Sequence, residues 1–336
     1  MTTHEPLDDR RRQRALDHAA GVWSAASRYM AVLLLLIGLF IFFSATQDRF
    51  FTSANIQNLL TSVSILWIVA IGMTFVVITG GIDLSVGSLL ALSGVILAHL
   101  FNDTGMPAWT ALIITILIGA LIGGAVNGLL IGRVGLSFFV VTLGTLSLYR
   151  GIDLVWTKSV TTYVAAPLYD GIGFSKALGI PTPIWIMFGV YLVAFVVLRW
   201  TYFGRNVYAV GGNIEAARLS GINVPRTLIL VYAIVGGCTA LASVIQVGRL
   251  GAASPGVGEN IPLDAAAAVL LGGTSFLGGI GGVTGTAVGV LFIGVLSTGL
   301  SIAGVQSDWQ KVVTGGILIA AVAFDRFQQK RSGRRA

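Results

Sequence analysis

The sequence predicts an all-α integral membrane protein of about ten transmembrane helices, and three observations predict it. Of 336 residues, 55% are hydrophobic and 10% charged, against roughly 25% charged in a soluble domain, and mean hydropathy is +0.87. Apolar runs long enough to cross a hydrocarbon core of ~30 Å recur along the whole chain. The 44 glycines are about twice the usual share of ~7%, which suits helices that approach closely in lipid.

Residues 1–28 form a polar, basic tail carrying Arg10, Arg11, Arg12, Arg14 and Arg28. The first apolar run, Tyr29 to Ala45, leads into Gln47-Asp48-Arg49-Phe50-Phe51 with no small-residue cleavage site. It therefore reads as a retained anchor. Spans then follow at about 58–79, 84–101, 109–131 and 136–156, and again at 183–200, 227–247, 262–280, 283–303 and 309–325. The stretches 84–101 and 262–280 are rich in Gly, Ala and Ser and admit a break or a re-entrant path. Residues 29–325 thus make a single transmembrane domain, and 326–336 a second basic tail.

The basic residues test this layout. With both termini cytoplasmic, fifteen of the 21 Lys and Arg fall inside, as the positive-inside rule requires. Removing one span would put the basic C-terminus on the wrong side. That distribution also explains the net charge of +7 without nucleic acid as a partner.

The segment 202–226 is the polar exception, with Arg205, Glu215, Arg218 and Arg226. Between Gly211-Gly212 and Gly221 lies Asn-Ile-Glu-Ala-Ala-Arg-Leu-Ser, a two-turn helical run. A short cytoplasmic helix between flexible glycine hinges suits contact with a partner, and it also suits an ordinary loop. Small residues four apart (Gly119 and Gly123, Gly124 and Gly128, Gly128 and Gly132) predict close helix packing. Two tight turns expected on the cytoplasmic side, Gly80-Gly81-Ile82-Asp83 and Leu277 to Gly282, lie in opposite halves of the chain and hint at a duplicated plan.

No catalytic set is legible. His4, His18 and His99 lack metal-ligand spacing, Cys238 is the single cysteine, and no phosphate-loop motif occurs. Neither a metal nor a cofactor is expected. Charges fall near helix ends, so the relay at depth that a proton-driven carrier needs is not visible. Arg150 and Asp153, three apart on one helix face, are expected to pair. Neutral polar residues inside the spans, namely Asn127, Thr142, Thr145, Ser147 and Gln246, fit the lining of a path for an uncharged solute. Each equally fits an interhelical hydrogen bond of ~0.6 kcal/mol. A multispan chain without its own energy source points to a partner that does the work. An ion-coupled secondary transporter for a neutral polar solute, a passive channel and an export subunit remain open on spacing alone.

Several motifs resemble those of the ribose/xylose/arabinose-type permeases of ATP-binding-cassette importers. They are Thr79-Gly80-Gly81-Ile82-Asp83-Leu84-Ser85-Val86-Gly87-Ser88, Asn55 to Leu60, Thr142-Leu143-Gly144-Thr145 with Arg150-Gly151, Phe203-Gly204-Arg205 through Gly211-Gly212-Asn213, Leu271 to Ser275, and Gly278 to Gly281. The matches run in order from about residue 50 to 325. They imply a type II importer architecture, like that of the vitamin B12 permease, in the inner membrane. A second permease copy, identical or related, would complete the path. A separate cytoplasmic ATPase subunit and a periplasmic sugar-binding protein would be its partners, with lipid around it. Glu215-Ala216-Ala217, then Gly221, resembles the EAA-xxx-G coupling element. The resemblance assigns Gly212, Asn213, Glu215, Ala216, Ala217 and Gly221 to ATPase coupling, and Gly80, Gly81, Asp83, Ser85, Gly87 and Ser88 to a signature turn. One departure is local: Gly135, Leu136 and Ser137 precede Phe138 where the family often has lysine and proline.

Overall fold

A computed structural model describes residues 30–164 and 175–331. The tail at 1–28, part of the loop 157–182 and the end of the C-terminal tail lie outside the described residues. The helices in chain order are α1 (Met30–Thr46), α2 (Ser53–Ile78), α3 (Val86–Asn102), α4 (Ala108–Gly132), α5 (Phe138–Thr157) and α6 (Thr182–Trp200). After them come α7 (Tyr202–Gly212), α8 (Ile214–Leu219), α9 (Val224–Leu250), α10 (Ile261–Leu271), α11 (Val283–Ile302) and α12 (Ser307–Arg331). Six of these, α2, α4, α5, α6, α9 and α11, are long and apolar enough to cross a membrane.

Two helices form the centre. Thr52 caps α2 by accepting from the Asn55 N–H at 3.3 Å, and the helix is then buried on all sides from Ile68 through Ile78. Such a helix has no solvated face to pattern, so it is apolar all round. Beside it runs α9, where a methyl group at Gly72 would sit 3.0 Å from the Val235 Cα. Against the other side of α9 lies α4, with its glycines on the seam. A methyl at Gly128 would come within 2.8 Å of the Ile229 Cα, and one at Gly236 would overlap the Gly119 carbonyl. The small-residue spacing in α4 therefore serves packing within one chain. Around this centre, α5 and α6 expose Phe139, Val140, Leu148, Val155, Phe188, Leu192 and Val193, the surface expected of helices in lipid or against another apolar chain.

Of the two weak spans, one is continuous as α3 but begins inside the bundle, and the other is cut short as α10. Beyond α2 the chain turns at Gly80 and runs back along the helix it has just left. The Gly81 N–H donates to the Val76 carbonyl at 3.1 Å, and the Asp83 N–H lies 3.5 Å from the Met73 sulfur. Met73 is five residues before the end of α2, about 7.5 Å at 1.5 Å per residue. Helix α3 starts only there. The opposite end repeats this: beyond α9 the chain passes Gly94 at Ala253 and meets Gly87 at Gly258, seven residues of α3 deeper, about 10 Å. Helix α10 then starts against Gly87, with Pro262 3.0 Å from a methyl placed there. The first turns of α3 and α10 thus meet inside the bundle, entered from opposite ends.

This arrangement corrects two expectations. The span expected at 262–280 is helical only to Leu271, and 272–282 is a glycine-rich turn. Of the turns Gly80–Asp83 and Leu277–Gly282 only the first re-enters; the segment that re-enters as 79–85 does, beside the helix it follows, is 251–260. The turns at 80 and 277 lie at the same end and touch each other. That end also holds Gly132 beside Pro225, α7 and α8. At the opposite end Thr162–Tyr163 pairs with Ala252–Ala253, and the Asn102 Nδ2 donates to the Tyr163 carbonyl at 2.7 Å.

Candidate coupling segment and buried polar junction

Helix α8 is the short helix expected between Gly211-Gly212 and Gly221, with its ends fixed by local chemistry. The Asn213 Oδ1 accepts from the Ala216 N–H at 2.9 Å, the bond an N-cap supplies. At the far end the Gly221 N–H reaches the Arg218 carbonyl and the Ile222 N–H the Ala217 carbonyl. Gly221, at φ +82°, takes the left-handed conformation that such a stop needs. Glu215 and Arg218 pair at 3.2 Å on the exposed face. Ala217 is the residue turned inward, packed with Val210, Val224 and Leu228, and Ala216 lies open beside the charged pair. The helix therefore offers an outer face of one charged pair, Ala216 and the exposed Ile214 and Leu219, anchored by a single buried alanine.

Gly211 and Gly212 do not form the expected hinge. They are the last turn of α7, and Gly211 is wedged against the C-terminal end of α2. A methyl there would overlap the Ile78 carbonyl and lie 2.7 Å from the Gly279 nitrogen. The same Ile78 carbonyl accepts from the Gly279 N–H at 2.8 Å, and the Tyr208 hydroxyl donates to the Gly281 carbonyl at 2.8 Å. Burial raises the Tyr208 phenol above its ordinary value, opposed by the Arg199 charge, so Tyr208 remains a protonated donor. Tyr208 does not stand out in the sequence, because its partner lies 73 residues away, and the Gly278–Gly281 motif gives no sign of Ile78, 201 residues from Gly279.

The signature turn builds the start of α3. Asp83 is buried, and its Oδ1 accepts from the Ser85 N–H at 2.9 Å and the Ser85 hydroxyl at 2.5 Å. Asn127 approaches from α4, its Nδ2 donating to the Ser85 Oγ at 2.9 Å and facing the Asp83 carboxylate at 3.3–3.4 Å. Asn127 reaches this position from a π-helical turn, Gly123–Gly128, a wider turn often found at functional sites. Gly80 supplies the left-handed turn at φ +81°, Gly81 fits under the Tyr232 hydroxyl, and Gly87 meets Gly258. Ser88 is buried and bonds back to the Ser85 carbonyl at 3.0 Å. A carboxylate beside the free N–H groups of α3 complements the positive end of the helix dipole, which explains an acidic residue at an interrupted helix start.

The candidate pathway residues separate. Asn127, Thr142 and Thr145 are buried, and Thr142 Oγ1 lies 3.5 Å from the Ile82 carbonyl. Gln246 is half-buried on α9. Ser147 alone lies on an open face, a groove of about 580 Å³ lined with Leu148, Gly151, Ile152, Val155 and Trp156. Spacing could have shown that α5 turns a polar stripe inward. Thr142, Thr145, Tyr149 and Asp153 recur on one helix face, and all four are buried.

The expected pairing of Arg150 with Asp153 does not occur. Arg150 donates both terminal N–H groups to the Val257 carbonyl at 3.3 Å, while both Asp153 oxygens have no hydrogen-bond partner among the described residues. Residues three apart can pair, as Glu215 and Arg218 do, but here the re-entrant loop competes for the guanidinium. Among the described residues no group of acidic, histidine or cysteine side chains could hold a metal.

The family model described as "Branched-chain amino acid transport system / permease component" matches residues 55–322. The chain is 40% identical to the ribose import permease protein RbsC of Escherichia coli (strain K12) over 311 residues, 91% of this chain and 95% of that protein. It is 41% identical to the protein of the same name in Bacillus subtilis (strain 168) over 314 residues, 92% and 95% of the two chains. It is 36% identical to the L-arabinose ABC transporter permease protein AraH of Azospirillum brasilense over 319 residues, 94% and 92%. No solved structure matches the chain.

Proposed function

This chain belongs to the sugar-import permease family of ATP-binding-cassette transporters, an inner-membrane transport component rather than an enzyme, and on that premise we propose how it works. It carries a monosaccharide of the ribose or pentose class across the membrane, driven by an ATPase subunit that seats on α8. It crosses the membrane ten times in the type II arrangement, pairs with a second permease copy, and receives its sugar from a periplasmic binding protein at the end holding 157–164 and 248–261.

The observation that carries this reading is the form of α8. Capped at both ends and anchored by Ala217, it is a rigid rod whose outer face bears Glu215, Ala216 and Arg218. The small Ala216 permits close docking, and Glu215 adds a directional polar contact. Free energy enters from ATP on the partner, and the permease supplies different packing in two states. Recognition of the sugar is delegated to the binding protein, in keeping with the near absence of polar groups on the open groove beside Ser147.

The test is reconstitution with the ATPase. Glu215→Lys is expected to abolish ATPase association and ATP-dependent ribose uptake together. Retention of both overturns the assignment of α8. Uptake of galactose or another hexose in preference to ribose and arabinose would keep the permease reading and replace its substrate.

A further inference from the structure

We infer that the contact of Tyr208 and Gly211 with the 278–281 turn and the Ile78 carbonyl is the mechanical joint that carries movement of α8 to the interrupted helices inside the bundle. The inference rests on the reading of α8 as the ATPase contact and adds the route by which its displacement reaches the core.

The route is short and has no slack. Asn213 caps α8 and directly follows Gly212, so α7 and α8 share one corner with no linker between them. The last turn of α7 touches the main chain on both sides. Gly211 lies against the Ile78 carbonyl, and a methyl at Gly279 would fall 2.9 Å from the Gly212 Cα. Backbone-to-backbone contact leaves no side chain to flex, and close-packed surfaces slide or jump rather than deform. Gly278 and Gly279 take φ of +83° and +73°, which lets the 278–281 turn present its N–H to Ile78 without strain.

This turn is tied to the far end of α10 through the loop 272–277: the Ser275 N–H donates to the Ile280 carbonyl and the Thr274 N–H to the Val269 carbonyl. A rigid shift of it must move α10 along its 11 residues, about 16 Å, to the place where Gly258 and Pro262 meet Gly87 of α3. Ile78, on the other side of the joint, ends the helix from which the Asp83 turn re-enters. Displacement at one corner therefore acts on both helix starts together. Tyr208 is the member whose contribution is a single hydrogen bond, to Gly281, and so it is the member that can be weakened without crowding the joint. Its role is positioning.

The experiment follows the re-entrant loop rather than the sugar. In a Cys238→Ala background of the assembled permease–ATPase complex, Glu259→Cys is placed in the exposed part of that loop, and its thiol labelling rate is compared with and without a non-hydrolysable ATP analogue. The rate is expected to change on nucleotide binding, and Tyr208→Phe is expected to cut that change about fivefold, the low end of ordinary coupling between sites, with ATPase association intact. Gly211→Ala should remove the response if it assembles, while Tyr208→Phe tests the joint without steric load. The inference fails if Tyr208→Phe responds like the parent, if it loses the ATPase instead, or if the loop never responds to nucleotide although the ATPase is bound. Retention of the ATPase by Glu215→Lys would instead overturn the reading of α8, so the two failures are distinguishable.

Discussion

Asn127 donates from its Nδ2 to the Ser85 Oγ at 2.9 Å, tying the π-helical turn of α4 to the interrupted start of α3 across 42 residues. The bond makes Asn127 a structural partner of the buried Asp83 carboxylate, on the same surface where the sequence also admits a path-lining role. Asn127→Leu removes a donor from a buried charge, at a cost of about 2 kcal/mol. A clear fall in the thermal midpoint in detergent is expected, with no change in which sugar competes for uptake. An unchanged midpoint with altered sugar preference would restore the pathway role.

The seam between α4 and α9 gives a paired test. Gly119→Val must displace Gly236 and Ala240, since even a methyl there would overlap Ala240 and sit 2.9 Å from the Gly236 carbonyl. Overpacking of this kind costs about 1–3 kcal/mol. Gly189→Ala, with nothing within 4 Å of the new methyl, should be neutral or stabilising by up to about 1 kcal/mol. Size-exclusion profiles and thermal midpoints of the two variants should diverge. Equal behaviour would mean that the seam is not close-packed.

Asp153 is buried and makes no hydrogen bond among the described residues, so Asp153→Asn replaces the carboxyl group without breaking a hydrogen bond. The variant is expected to match or exceed the parent in thermal midpoint, because a buried carboxyl group without a hydrogen bond is costly. A loss of several degrees would reveal a partner for the carboxylate.

Arg150 holds the re-entrant loop through the Val257 carbonyl, two N–H groups on one oxygen. Arg150→Ala should raise amide hydrogen exchange across 254–260 while leaving α11 protected. Exchange unchanged in that loop would show that the guanidinium contact does not restrain it.

Much of this was legible because lipid makes strong local demands. Helices must be long and apolar, and their loops carry Lys and Arg on one side, so α1 through α6, α9 and α11 could be placed from runs of residues alone. The boundaries of α8 were legible because Asn213 and Gly221 are strong local signals. The resemblance carried the family as well, since its motifs are short and ordered along the chain. What escaped was every feature whose cause lies far away in sequence. Arg150 was assigned to its neighbour Asp153 because only near residues compete on paper, and the Gly211-Gly212 pair looked flexible because nothing in the segment announces Ile78.

By itself, then, the amino-acid order determined that this is a membrane permease, which stretches become helices, and where α8 begins and ends. These depend on transfer of side chains to lipid and on hydrogen bonds within a few residues. The tertiary structure alone decided that α3 and α10 begin deep in the bundle against each other, that Asp83 is shared by Ser85 and Asn127, and that Gly211, Ile78 and Gly279 form one contact. Those arrangements are set by which backbones can approach when long helices pack, and packing brings together residues that no local pattern connects.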